Sequence, residues 1–299
     1  MHLIDGETHT FLHGCGEDDT VISILFGLAS ALSWGAADFT GGLVSRKTGA
    51  FRAVLFGETV GILALVPATL LIGEPFPGAA SMAQAALAGA LGTLGLVLLY
   101  HALATGTMSI AAPVSALMAA ILPVVVGSLA EGFPGPLTYF GFGFALLAVW
   151  LVSQSHDGVR DILSHLSSLR LPLLAGVGFG CYFILIHSAA RDSTWWPMVA
   201  SRGAGWIVMA IFLLTRRESW RVARGNWPIL ILNGLLDVGG NAFYIVAGHA
   251  GRLDVSAVIS SLYPGATVLL AWLVLKERLS RTQWFGIGAA LIALVLFAI

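Results

Sequence analysis

The chain has 299 residues, of which 57% are hydrophobic and 10% charged, with a formal net charge of −1 and a mean hydropathy of +0.88. A soluble domain carries about 25% charged residues, so the polar side chains here are too few to coat a water-facing globule. That excludes a single soluble globule, a disordered chain and a nucleic-acid binder, and two cysteines, Cys15 and Cys181, make no disulfide framework.

Residues 1–20 contain Asp5, Glu7, Glu17, Asp18 and Asp19 but no Lys or Arg. They read as a polar acidic tail rather than a signal peptide, whose first residues are basic. His9, His13 and Cys15 lack zinc-type spacing, so no metal site is expected. A bilayer core of about 30 Å takes roughly 20 apolar residues per helix. Ten such runs follow, at 21–43, 51–73, 82–104, 108–130, 136–153, 171–190, 196–215, 228–249, 254–275 and 283–299. The ten-residue alternating segments of a transmembrane barrel are missing. The expected fold is an all-α membrane protein with ten transmembrane helices, divided at a central loop, 154–170.

Basic residues gather in the loops after odd-numbered runs. Twelve of the fifteen lie there (Arg46, Lys47 and Arg52 first, Arg281 last), whereas the even loops hold only Arg191 and Arg252. Positive-inside logic puts the odd loops in the cytoplasm and both termini outside.

Self-comparison shows a repeat near 145 residues: Ala102 to Gly106 lies over Ala247 to Gly251, Ser115 and Leu117 over Ser260 and Leu262, and Gly141 and Gly143 over Gly286 and Gly288. Residues 21–153 and 171–299 thus form two five-run copies. Five is odd, so the second copy enters the membrane from the opposite side, as in many secondary transporters with midplane sites. Prolines fall in the fourth run of each copy, Pro113 and Pro123 in one and Pro264 in the other, and are expected to interrupt those helices and act as gating points.

Four charges lie within the runs: Asp38, Glu58, Arg202 and Asp237. Each costs about 2.5–3.5 kcal/mol at a helix centre, so all four should face the bundle interior or water. Glu58 and Arg202 occupy matching places in the second run of each copy, each followed three residues later by glycine (Gly61, Gly205). They are expected to pair and to serve in coupling or gating with Asp38, a buried unpaired Glu58 being able to hold a proton. Asn233, Asp237, Asn241 and Tyr244 are spaced to share one face of the eighth run, within roughly 80°, and are read as a cavity wall that binds substrate. Trp34 and Tyr263 are aromatic candidates for the same cavity, with lipid-facing or packing roles as the alternative. His101, His187 and His249 read as structural, His187 aligning loosely with Asp38 across the repeat. Gly176-x-Gly178-x-Gly180 has no strand before it and reads as close helix packing.

Several stretches together resemble a known family. Ser260-Ser261-Leu262-Tyr263-Pro264, Leu269 to Trp272, Lys276-Glu277-Arg278-Leu279, Gln283 and Gly286 look like the closing signature of EamA-type drug/metabolite transporters, and Trp34-Gly35 and Ala102-Leu103-x-x-Gly106 fit its earlier part. In the first copy that signature is altered, with Ala119 at the position of Pro264. The resemblance implies a ten-helix, two-repeat carrier moving a small organic solute, a drug, amino acid or metabolite, often outward. No Walker loop or hydrolase motif occurs, so the energy is expected to come from a gradient. The reading is a non-enzymatic secondary active transporter in the inner membrane of a bacterial cell. It works by alternating access, with protons as coupling ion, the lipid bilayer and a small solute as partners, and no cofactor. A facilitative exchanger or uptake carrier is the alternative, ahead of a polytopic membrane enzyme or a non-transporting scaffold.

Overall fold

The structure, a computed structural model, describes residues 17–105, 108–152, 170–217, 219–276 and 279–298. Within them the side chains of residues 17, 18, 46, 100–105, 108–114, 271 and 298 lie outside the description. Most of the acidic tail and the central loop are thereby outside the described residues, as are Glu277 and Arg278 and the side chains of His101 and Pro113.

The described residues form helices and no strand. In chain order these are α1 (Glu17–Thr48), α2 (Ala50–Ile72), α3 (Ala79–Thr105), α4 (Met108–Ala130), α5 (Pro136–Val152), α6 (Arg170–Ala189), α7 (Trp195–Arg216), α8 (Trp227–Ala250), α9 (Leu253–Ser260), α10 (Tyr263–Leu275) and α11 (Arg281–Ala298). Among the described residues, seven segments are long and apolar enough to cross a membrane, and three shorter apolar helices cover 115–130, 136–152 and 281–297. The first helix starts at Glu17, inside the stretch expected to be tail.

Local chemistry sets the helix ends. Pro136 opens α5 and Pro228 sits in the first turn of α8, where a missing N–H leaves no orphan donor. Gly73 closes α2 in the left-handed region at φ 69°, its N–H bonded to the Thr69 carbonyl at 3.2 Å, a conformation glycine adopts without strain.

The fourth run of each copy departs from the expectation of two interruptions. α4 continues through Pro123, whereas the ninth run breaks at Ser261-Leu262 into α9 and α10. Pro264 has no N–H for the Ser260 carbonyl, and the chain turns there through short bonds, Leu262 N–H to Ile259 and Gly265 N–H to Leu262. The Thr267 hydroxyl then fastens α10 to the Gly35 carbonyl of α1 at 3.1 Å.

The main interhelical contacts join the two sequence halves. α1 lies on α8, α9 and α10; α6 lies on α3 and α4; α2 packs on α7 and α8; α3 packs on α7; α5 packs on α11. Glycines permit these crossings. At Gly35 a Cβ would run into the Tyr263 carbonyl and the Ala266 side chain, and at Gly180 into the Ala119 carbonyl and Leu122. A Cβ at Gly89 would overlap the Ser201 carbonyl, and one at Gly234 would lie 2.9 Å from the Gly57 carbonyl. Such approach of backbones supplies the dispersion contact that holds helices together where lipid is as apolar as leucine. The side chains of Leu63, Leu71, Phe140, Phe285 and Leu291 are exposed on the outer surface, suited to acyl chains.

One end of the bundle, where α1 begins and α8 ends, is tightly closed. All eight residues of α9 are buried. The Ser23 hydroxyl bonds the Ala247 carbonyl at 2.9 Å and meets Ser256, Arg252 pairs with buried Asp254 at 2.8 Å, and Glu131 accepts the Leu253 N–H. At the same end Glu74, just beyond α2, accepts the Ser193 hydroxyl at 2.7 Å and the Thr194 and Trp195 N–H groups at 2.8 Å. These are orphan donors at the start of α7, so a carboxylate from another loop caps that helix.

Partial burial by itself pushes the Glu74 carboxyl up, but the donors from Thr194, Ser193 and Trp195 outweigh it and hold the group below the ordinary glutamate range. A folded-state pKa below the unfolded one stabilises the fold above the unfolded value, near 4.3, and that contribution disappears as pH falls through the folded value. The protection of the Thr194 and Trp195 amides, measured against their intrinsic exchange rates at each pH, should therefore fall on acidification below the ordinary glutamate range. In Glu74→Gln protection should be low already at neutral pH, with little further response to acid; equal protection in both proteins at both pH values would refute the cap.

Candidate functional site

All four intramembrane charges come together near mid-bundle. α2 carries Glu58 and α7 carries Arg202, whose Nη1 stands 3.1 Å from Glu58 Oε2. The same nitrogen pairs with the Asp237 carboxylate on α8. One guanidinium nitrogen thus bridges two carboxylates from two helices. Asp38 on α1 lies close enough to Asp237 for their charges to interact, and it has no salt bridge among the described residues. Gly61 and Gly205 make room for the network: a Cβ at Gly61 would press on the Arg202 stem at 3.3 Å, and one at Gly205 would crowd Thr93 and Glu58.

The network is unevenly accessible. The side chains of Glu58 and Arg202 are 10% exposed, that of Asp237 37%. Along α1, Ile24, Ala31 and Asp38 follow one another at intervals of seven and so share a face. Ile24 and Ala31 are buried, yet Asp38 is exposed. Along the polar face of α8, Tyr244 and Asn241 are buried, while Asp237 and Asn233 are half-buried. Exposure therefore falls at the level of Asp38 and Asp237, and Leu230, seven residues before Asp237 on the same face of α8, is again fully buried.

The α8 stripe divides by role. The Asn233 amide donates to the Ala37 carbonyl of α1 at 2.6 Å, and the Tyr244 hydroxyl to the Phe183 carbonyl of α6 at 3.0 Å. Both polar groups join helices in this state. Asn241 donates to the Asp237 carbonyl at 2.7 Å and accepts from the Tyr182 hydroxyl. Only Asp237 presents an accessible charge. Further along α8, at Gly240 and Tyr244, stands a buried aromatic cluster: Trp34 stacks on Phe183 at 5.5 Å between ring centres and lies 5.9 Å from Tyr244 and 6.4 Å, edge-on, from Tyr263. Gly240 gives the Trp34 ring its place, since a Cβ there would strike the indole.

Of the proline candidates, Pro264 follows the break in the ninth run, Pro123 lies inside unbroken α4, and Pro113 is in the part of α4 whose side chains are outside the description. Tyr182, Phe183 and Thr93 belong to the site and were missed in the sequence. Tyr182 follows Asp38, and Asp237 follows Thr93, by the same 144 residues that separate Glu58 from Arg202; that offset is the signal that finds them. His187 lies at the closed end instead, 6.3 Å from His249 and against Gly248. Among the described residues no group of three or more His, Cys, Asp or Glu is placed to hold a metal.

Long apolar helices with lipid-suited outer faces and charges turned inward define an integral, multi-pass membrane protein. The EamA-like transporter family model matches residues 167–299, in the second half of the chain. An uncharacterized protein of Methanocaldococcus jannaschii is 28% identical over 135 residues, 44% of this chain and 97% of that protein. One solved crystal structure superposes with a TM-score of 0.74 over 92% of this chain and 95% of its own at 16% identity, a likeness of fold alone. The matched family is one of transporters.

Proposed function

We propose that the chain is a secondary transporter that carries a small organic solute through the Glu58–Arg202–Asp237 site by alternating access between two oppositely oriented five-helix repeats. The observation that carries this reading is the sharing of Arg202 between a buried Glu58 and an accessible Asp237. Two carboxylates on one cation give the site two arrangements, Arg202 shared by both or held by Glu58 alone, as a gate requires. A proton or solute arriving at Asp237 frees the guanidinium for Glu58 alone; its departure draws Arg202 back.

Reciprocal contacts support the two-repeat plan. Gly89 against Ser201 is matched by Gly234 against Gly57, and Gly35 against Tyr263 and Ala266 by Gly180 against Ala119 and Leu122, each residue 144 or 145 positions from its counterpart. Helix pairs follow suit, α1 on α8 answering α6 on α3, and α4 on α6 answering α9 and α10 on α1. Exchange of partners between halves is what a two-fold axis produces, and with five spans per copy that axis lies in the membrane plane. Among the described residues, ten of the thirteen basic residues belong to the end where α1 finishes and α8 begins, so by the charge rule that end is cytoplasmic.

The test is flux in proteoliposomes with an imposed pH gradient and a lumen loaded with amines, amino acids and other metabolites. Wild type should move a solute along the direction set by the gradient, and Asp237→Asn and Glu58→Gln should each lower that flux at least tenfold. Flux that needs a counter-solute and ignores the gradient would instead establish exchange, and variants matching wild type would remove this site from transport.

A further inference from the structure

Resting on the transport reading, we infer that Arg252 is the latch of a gate at the closed end. It fastens α4 of the first repeat to α9 of the second, and the repeat-related positions at the opposite end carry no such latch, so the protein rests with this end shut. The corner after α4 and the corner before α9 cap each other. The Arg252 fork pairs with Asp254, Nε at 3.0 Å and Nη2 at 2.8 Å. Its outer nitrogens reach across to the carbonyls of Glu131 and Gly132, at 3.3 and 2.6 Å, just past the end of α4, where helical donors run out. In return the Glu131 carboxylate accepts the Leu253 N–H at 3.2 Å, a donor left over at the start of α9. The Asp254 side chain is fully buried, and Gly127 on α4 makes room for it, since a Cβ there would lie 3.0 Å away.

These bonds cross between the repeats. Opening this end by motion of one repeat against the other separates α4 from α9 and breaks them all. A second observation separates a gate from a permanent strut. Ser128, one turn before Glu131 on α4, is buried, and its hydroxyl has no hydrogen-bond partner. A buried hydroxyl left unpaired is a cost of the shut arrangement, and water admitted on opening removes it. The latch therefore works against a local penalty, which brings the shut and open arrangements closer in free energy.

The repeat shows that the latch is one-sided. An offset of 145 residues lays the start of α9, Leu253, on the start of α4, Met108, and that of α11, Arg281, on that of α5, Pro136. The same offset lays Arg252 on Thr107, Asp254 on Ser109 and Glu131 on Lys276. Two hydroxyls stand where the fork and its buried partner would be, and an ammonium, which cannot accept an N–H, replaces the capping carboxylate. The contact that shuts the cytoplasmic end in the alternate state thus has no ion pair at these positions. Without solute, the balance falls on the side of the latched end.

Cysteine labelling reads the gate directly. Ser128→Cys, in a full chain carrying Cys15→Ser and Cys181→Ser, reports on the latched end. Val44→Cys, fully buried at the other end of α1, reports on the rest of the fold in a second protein. With a hydrophilic maleimide in detergent and no solute, both reporters should react slowly. Arg252→Gln should speed labelling of Ser128→Cys at least tenfold and leave Val44→Cys within twofold. Arg252→Lys keeps a cation for Asp254 but cannot reach both corners, and it should fall between. Arg252→Gln combined with Asp254→Asn strands no carboxylate, so it keeps the test valid if the single variant folds poorly, and it should open the end as far. Labelling of Ser128→Cys unmoved by both variants, or an equal rise at both reporters, overturns the inference. Latch variants that open as expected in a protein that moves no solute would sink the transport reading alone. Solute flux with labelling unmoved would sink the latch alone.

Discussion

Replacing Arg202 by glutamine is expected to destabilise the protein by about 3–5 kcal/mol, the range for removing one partner of a buried ion pair, and to abolish flux. The pair it forms with Glu58 is enclosed, both side chains being 10% exposed. Without the guanidinium, the Glu58 carboxylate has lost its only cation among the described residues. Asp237, whose side chain is 37% exposed, suffers less. Adding Glu58→Gln to Arg202→Gln should therefore recover a large part of the lost stability, because two neutral amides are cheaper to bury than one bare carboxylate. Chemical unfolding in detergent, arranged as a double-mutant cycle, reads both effects. If Arg202→Gln melts like wild type, or the double variant is worse than the single by the full cost of Glu58→Gln, the ion pair is not the structural keystone described here.

The second large effect is expected at Gly89. A methyl group there overlaps the backbone carbonyl of Ser201, the residue before Arg202, and neither backbone has a flexible end that can move aside. Overpacking costs about 1–3 kcal/mol in well-packed cores, and Gly89→Ala should reach the top of that range. Flux should fall more steeply than stability, because pushing α7 away from α3 carries Arg202 with it. Gly203→Ala is the control on the same stretch of α7, since a Cβ there meets nothing within 4 Å. It should be indistinguishable from wild type in melting and in transport. Equal behaviour of the two variants would mean that α3 and α7 do not approach as closely as the structure has them.

Much of the site was legible because membrane spans make charge conspicuous. Asp38, Glu58, Arg202 and Asp237 stand out against apolar neighbours, and lipid leaves them nowhere to go but inward. The repeat offset also foretold which two would meet, since equivalent positions approach each other across a two-fold axis. Polarity alone, however, does not separate a ligand group from a strut. Asn233 and Tyr244 share the face of Asp237, yet their polar atoms are taken by carbonyls of α1 and α6. Prolines misled for a related reason. Pro123 is tolerated within a continuous α4, while at Pro264 the chain lets go of its ladder two residues earlier, at Ser261-Leu262. Neighbouring helices re-satisfy or do not re-satisfy the freed carbonyl, and the local sequence does not carry that information. Tyr182 escaped notice because an aromatic residue in an apolar run is unremarkable until its hydroxyl is seen to reach Asn241.

The sequence by itself determined the environment, the helical segments and the set of charges that had to be hidden, because each follows from transfer free energies and helix periodicity acting on neighbours along the chain. Tertiary structure alone decided that one Arg202 nitrogen serves two carboxylates, that Asp237 and not Glu58 is the accessible acid, and which end of the bundle is shut. Those outcomes depend on how closely α2, α3, α7 and α8 cross, and the closeness is set by glycines hundreds of ångströms of extended chain apart from the groups they admit, at about 3.3–3.6 Å per residue, so only the folded packing brings them to bear on one another.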